Sequence, residues 1–166
     1  MALLADRESK LLIDGKLVAG SAGVFPTINP ATEDTLGVAA DATTADMGTA
    51  IEAARRAFDD TDWSTNTELR VRCIRQLREA MREHIEELRE LTIAEVGAPR
   101  MLTSGGQLEG PVDDLSFCAD TAENYSWNTD LGFATPQGMP SNRTIAREAV
   151  GVVGAITPWN FPHQIN

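Results

Sequence analysis

The chain has 166 residues, 42% of them hydrophobic and 23% charged, with a formal net charge of −11. That length and apolar content suit one ordinary soluble domain with a core. The acidic balance argues against nucleic acid and anionic membrane surfaces as partners, because phosphate binding needs clustered Lys and Arg, and no apolar run approaches a membrane span.

The start, Met1 to Lys10, carries Asp6, Arg7, Glu8 and Lys10 and lacks the apolar core of a secretory leader, so a cytoplasmic location is expected. Cys73 and Cys118 have no paired spacing, which excludes a disulfide scaffold and a Cys-based zinc site. His84 and His163 are far apart and neither lies in a metal-binding pattern, so no transition-metal site is expected.

Leu11 to Ile13, the Asp14-Gly15 pair and Lys16 to Ala19 predict a hairpin with a tight turn. A second pair follows, Val24 to Ile28 and Thr35 to Ala39, separated by Asn29-Pro30 and Glu33-Asp34. Such ribbons pack on a larger body, since a lone hairpin is marginal in water. Thr43 and Asp46 have the spacing of a capping-box variant, and Met47, Ile51, Ala54 and Phe58 then share one helical face. The interval Asp59 to Asn66, with Trp63, ends that helix.

The strongest periodicity predicts one long helix over 67–93. Ile74, Leu77, Met81, Ile85 and Leu88 form its apolar stripe, and the Arg and Glu residues on its other faces have spacings that permit ion pairs within the helix. Cys73 and His84 lie beside the stripe and read as structural. Gly97-Ala98-Pro99 ends the helix, and Thr103 to Gly106 reads as a flexible lead-in to a third helix over 107–127. Val112, Leu115, Ala119, Ala122 and Tyr125 form the buried face of that helix, with Cys118 beside them as a small core residue. Residues 128–143 are too rich in Gly and Pro for a helix. Thr144 to Thr157 reads as one or two strands broken by Gly151 and Gly154.

The chemistry is concentrated in Gly151 to Pro162. Val152 to Ile156 predicts a central parallel strand buried on both faces, stopped at Thr157-Pro158 where proline removes a ladder donor. Open α/β sheets bind ligands at the carboxyl ends of such strands. Trp159, Asn160 and Phe161 would emerge at that edge, two large apolar faces flanking one side-chain amide. The Asn160 amide can donate two hydrogen bonds, which suits stabilisation of an oxyanion in carbonyl chemistry. Pro162 could begin the next helix at its first position. The bland alternative is a buried strand followed by an aromatic loop that merely packs.

Ile156 to Pro162, preceded by Gly151-Val-Val-Gly154, resembles the Pro-Trp-Asn motif of the NAD(P)-dependent aldehyde dehydrogenase superfamily. The similarity extends upstream in the same order. Leu12 to Lys16 resembles the family's opening hairpin, and Phe25 to Pro30 with Ala31 to Thr35 resembles its Asn-Pro-Ala-Thr turn, Asp34 departing from the usual glycine order. Ala53 to Phe58 with Trp63 resembles its first-helix signature. Leu91 to Gly97 resembles the end of its long helix, with Ala98 where lysine is common.

The resemblance implies an α/β fold, the amino-terminal part of the aldehyde dehydrogenase fold: edge hairpins, three helices and the start of a Rossmann-like parallel sheet, incomplete. Residues 1–127 would begin the cofactor-binding domain, 128–149 would form oligomerisation-arm strands, and 150–166 would hold the first core strand and the motif loop. Asn160 would be the oxyanion-hole amide. Ile156, Thr157, Pro158, Trp159 and Asn160 would contact NAD or NADP. Phe161 and Ile165 would line the aldehyde tunnel, with His163 departing from the family's leucine. The Ile28 carbonyl and Glu95 would hold a monovalent cation, Glu95 being longer than the usual Asp.

The resemblance further implies that the nucleophilic cysteine, the general-base glutamate and the ribose-binding lysine lie downstream, and neither Cys73 nor Cys118 has the nucleophile's context. The parent would oxidise an aldehyde and assemble as a homodimer or homotetramer, and the 166-residue chain alone would be inactive. A non-catalytic oligomerisation or interaction module is the competing reading. A self-contained helical protein would account for 43–127 and leave the motif unexplained.

Overall fold

Two left-handed residues, Asp14 (φ 54°) and Gly15 (φ 71°), close the first hairpin of the computed structural model, which describes residues 8–166. A short β1 (Glu8–Ser9) precedes it, and the hairpin joins β2 (Leu11–Ile13) to β3 (Lys16–Val18), Leu11 opposite Val18. Positive φ at both turn residues makes a turn whose twist matches the strands, as Asp-Gly favours. The stretch read as lacking a secretory leader lies mostly outside the described residues.

Strands β4 (Gly23–Ile28) and β5 (Thr35–Asp41) pair antiparallel with a bulge between Thr27 and Ile28, and β1 adds to β5 in parallel, giving the order β1-β5-β4. Pro26 sits in β4, an edge strand of this sheet, where its missing donor breaks no internal ladder.

Helix α1 (Thr44–Asp60) starts with the predicted capping box. Thr43 N–H donates to Asp46 Oδ2 at 2.7 Å, and Asp46 N–H donates back to Thr43 Oγ1 at 3.3 Å. Asp46 also accepts from Ser21, by its hydroxyl at 2.7 Å and its backbone N–H at 3.1 Å. One carboxylate thus fixes the helix start and ties it to the loop before β4.

The predicted long helix is two helices, α2 (Thr67–Glu83) and α3 (Ile85–Val96). Asn66 caps the first, accepting from Leu69 N–H at 2.8 Å. His84 interrupts the ladder at φ −104°, ψ 18°, its N–H shared between the carbonyls of Ala80 and Arg82, and its Nδ1 lies 3.3 Å from Glu87 Oε2. α3 ends at Gly97, in the left-handed conformation (φ 72°) that glycine adopts at no steric cost. A β-carbon there would stand 3.0 Å from Pro30 Cγ, so this terminus packs on the turn after β4.

A short α4 (Arg100–Thr103) and a tight turn lead into α5 (Glu109–Asn124), shorter at both ends than predicted. The turn is no flexible lead-in, because Thr103 and Leu108 are fully buried. α5 packs antiparallel on α2 around Val71, Val112 and Ala119. Three arginines of α2 cross to α5 instead of pairing along their own helix: Arg75 meets Asp120 (3.1 Å) and Glu123 (2.7 Å), and Arg78 (3.4 Å) and Arg82 meet Asp113.

Three packing expectations are corrected. Leu77 is exposed, lying on the side of α2 turned from α5. Cys118 and Tyr125 are exposed as well, because the buried side of α5 narrows to Pro111, Val112 and Ala119. Tyr125 packs edge-to-face on Trp127 at 4.8 Å instead of entering the core.

The Gly/Pro-rich stretch forms a hairpin, β6 (Asn128–Ala134) with β7 (Ser141–Ala146), joined by a 3-10 turn. The strand expected over 152–156 does not form. Residues 147–158 carry no regular structure, and Val153 and Ile156 are exposed. A strand needs a neighbour for its ladder, and none of the described residues lies in register with this segment. α6 (Pro162–Ile165) begins at the predicted proline. Among the described residues no helix is long and apolar enough to cross a membrane.

Candidate active-site loop

Loop 157–161 sits between an unpaired extended segment and α6, and its seat comes from elsewhere in the chain. Gln107 Nε2 donates to the backbone carbonyl of Asn160 at 3.0 Å. Thr92 Oγ1 lies 2.9 Å from His163 Nε2. A β-carbon on Gly106 would touch the Phe161 ring at 3.7 Å. The loop therefore rests on α3 and on the turn before α5.

Beneath it lie the buried polar side chains Arg89, Thr92, Thr103 and Gln107. Arg89 Nη1 donates to Thr103 Oγ1 at 2.6 Å, the Thr103 hydroxyl donates in turn to the Arg100 carbonyl at 2.6 Å, and Arg89 also pairs with Glu109 and, at 3.1 Å, with Glu86. The hydrogen bond that Arg89 donates to Glu109 raises the guanidinium pKa above its ordinary value and outweighs the opposing effect of desolvation. This network ties α3 to the first turn of α5 and fixes the turn that carries Gln107.

The side chains assigned to chemistry face outward. Trp159 is 77% exposed, Ile156 and Ile165 are exposed, and Phe161 is half-buried against Gly106. Among the described residues nothing hydrogen-bonds the side-chain amide of Asn160, although its carbonyl is held. No backbone N–H of residues 148–160 finds a partner among them either. His163 is half-buried, and desolvation lowers its pKa below 6.5.

Of the two residues assigned to a cation, Glu95 lies two residues before Gly97 and Ile28 two before Pro30, and Gly97 packs on Pro30. Partial desolvation raises the Glu95 carboxyl above its ordinary range. Among the described residues there is no group of three or more His, Cys, Asp or Glu side chains suited to a metal ion. Cys73 is half-buried on α2 and Cys118 faces solvent on α5. Sequence reasoning missed Gln107 and Thr92, whose only signal is a polar residue on an otherwise buried face.

The aldehyde dehydrogenase family model matches residues 17–166. The chain belongs to the aldehyde dehydrogenase family. It is 37% identical over 156 residues to DhaS of Bacillus subtilis, a protein assigned as an aldehyde dehydrogenase, covering 92% of this chain and 30% of that protein. It is 30% identical to an aminoacetaldehyde dehydrogenase of Pseudomonas aeruginosa, over 98% of this chain and 32% of the relative. The crystal structure of an aldehyde dehydrogenase from Mycobacterium tuberculosis complexed with NAD+ superposes with a TM-score of 0.84 at 30% identity, covering 97% of this chain and 33% of that one. The chain thus spans about a third of the length of these aldehyde dehydrogenases and corresponds to an amino-terminal portion of their fold.

Proposed function

We propose that this chain is the amino-terminal portion of an enzyme that oxidises an aldehyde to a carboxylic acid with NAD or NADP. The observation that carries the reading is the asymmetry at Asn160, whose backbone carbonyl is bonded to Gln107 while its side-chain amide has no hydrogen-bond partner among the described residues. A donor held by its backbone and free at its tip is preorganised for charge that develops on a substrate oxygen.

In this reading a thiolate from elsewhere in the enzyme adds to the aldehyde carbon, and the Asn160 amide stabilises the resulting oxyanion. A nicotinamide cofactor, when bound, supplies the acceptor for the hydride that leaves that carbon. The acyl group is then released to water or another acceptor. Ile156, Thr157, Pro158, Trp159 and Asn160 would hold the cofactor, and the free backbone donors of Ile156, Thr157 and Trp159 fit that role. Phe161 and Ile165 would line the aldehyde's path. Cys118 is not the proposed nucleophile: it lies nine residues into α5, about 13 Å of helix beyond the residue that starts it. Cys73, half-buried in α2, is not proposed for that role either.

The Ile28 carbonyl and Glu95 are proposed for a monovalent cation, whose charge would relieve the desolvation that raises the Glu95 pKa. Residues 1–127 are proposed as the first part of a cofactor-binding domain and 150–166 as the start of its core. The β6–β7 hairpin, within 128–149, is proposed as an oligomerisation arm of a homodimer or homotetramer. Its exposed Leu131, Phe133, Met139 and Ile145 support that assignment. A cytoplasmic location belongs to the same reading.

The test is formation of reduced nicotinamide from a panel of aldehydes by the enzyme containing this chain. Asn160→Ala should lower kcat roughly 100- to 1000-fold, as removal of one oxyanion donor does elsewhere. Unchanged turnover in that variant, or robust turnover by the 166 residues alone, would overturn the proposal.

A further inference from the structure

Gln107 is 6% exposed, and only one end of its side-chain amide is satisfied. Nε2 donates to the Asn160 carbonyl at 3.0 Å, whereas Oε1 is sealed from water without a hydrogen-bond partner. A buried amide with half its capacity unmade is a poor choice for stability, and such groups call for a reason other than packing. Its backbone is pinned, since Gln107 N–H donates to the Leu102 carbonyl at 3.1 Å and the next residue, Leu108, is fully buried. The amide is therefore delivered from a rigid turn to one atom of the motif loop.

The Asn160 carbonyl belongs to the peptide plane that follows Asn160, so fixing that oxygen fixes ψ of Asn160. With ψ held, the Cα–Cβ bond has a set direction relative to the turn, and the side-chain amide projects from a defined origin. Donors to an oxyanion act only within a few tenths of an ångström of their place, and displacement of about 1 Å costs roughly 100-fold in rate.

We propose that Gln107 is a positioning residue: it holds the Asn160 carbonyl so that the Asn160 amide is aimed at the substrate oxygen. The inference rests on the reading of Asn160 as the oxyanion donor. It also explains the residue type. Leu or Met would fill the space but leave the carbonyl unpaired, and an ionised Glu would set a carboxylate against a carbonyl oxygen. A protonated Glu, with one O–H to donate, would restore the bond.

The experiment compares Gln107→Met, Gln107→Glu, Asn160→Ala and the double variant Gln107→Met/Asn160→Ala in the enzyme containing this chain, with active sites titrated so that kcat refers to folded enzyme. Gln107→Met should lower kcat roughly 10- to 100-fold while the aldehyde KM moves less than about threefold. The double variant should be no slower than Asn160→Ala, because two residues acting through one donor are not additive. Gln107→Glu should regain rate relative to wild type as pH falls, a rescue that a purely structural role would not produce. Additive losses, a wild-type kcat in Gln107→Met, or the absence of acid rescue would overturn the inference while leaving Asn160 in its role. An Asn160→Ala variant with wild-type kcat would instead overturn the reading of the site, and this inference with it. Should Gln107→Met not fold, isotope-labelled wild-type protein supplies an independent readout: scalar coupling across the hydrogen bond from Gln107 Nε2 to the Asn160 carbonyl carbon should be seen, and its absence overturns the proposal.

Discussion

Thr92 Oγ1 donates its only proton to the Leu88 carbonyl at 2.7 Å, so its contact with His163 Nε2 at 2.9 Å must run the other way, from imidazole N–H to hydroxyl oxygen. This assigns the ring its tautomer and makes α6 lean on α3 through a neutral histidine. Desolvation lowers the His163 pKa below 6.5, so the unfolded chain binds the proton more readily. The stabilisation is complete above 6.5 and is lost as pH falls from there through the folded value. Ring-proton NMR should give a midpoint under 6.5, and a midpoint at or above it would contradict the burial. Thr92→Val strands the imidazole donor and should cost about 1 kcal/mol at neutral pH, measured by urea denaturation.

A second pH dependence sits at the opposite end of the chain. Hydrogen bonds from Ser21 first, and from Thr43, hold the Asp46 carboxyl well below the ordinary carboxylate range. Its contribution is present above 3.8 and disappears as pH drops toward the folded value. Wild type should therefore lose thermal stability with acid more steeply than Asp46→Asn. Parallel melting curves across that range would refute the anchoring role.

Arg89 is the ion-pair residue with most to lose. Methionine there would keep the aliphatic length but leave the buried Thr103 hydroxyl without its donor and Glu109 without its partner. Because Glu109 is partly exposed, the expected loss is about 2–3 kcal/mol, below that for a fully buried pair. Replacement of Arg75, whose partners are solvated, should cost much less, because water screens exposed pairs. Equal urea midpoints for the two variants would show that burial is not what separates them.

Leu108 and Leu77 make a contrast that periodicity alone gets backwards. Leu108 is fully buried in a turn, while Leu77 is exposed within the predicted apolar stripe. Leu108→Ala should cost about 2–5 kcal/mol and Leu77→Ala about 0.5 kcal/mol. Denaturant midpoints of the two variants decide it, and a larger loss at Leu77 would reject the packing described here.

What was legible in the sequence was local. Asp14-Gly15 needs no distant partner to turn, Thr43 and Asp46 cap within three residues, and Pro162 starts α6 by its own ring. What was not legible depends on residues far apart in the chain. His84 carries no Gly or Pro to mark the break between α2 and α3. Arg75, Arg78 and Arg82 have acceptable partners on their own helix, and only the placement of α5 sends them to Asp113, Asp120 and Glu123. Trp159 and Asn160 were readable because the motif is contiguous. Gln107 was not, because its partner is a backbone oxygen 53 residues away. Val152 to Ile156 has the composition of a buried strand, but composition supplies no neighbour to pair with.

That unpaired segment has a mechanical consequence. Among the described residues the motif loop is moored from below, by an amide, an imidazole and an aromatic contact. Within this chain, substitutions at Gln107, Thr92 and Gly106 are therefore the ones that bear directly on the loop that carries Asn160.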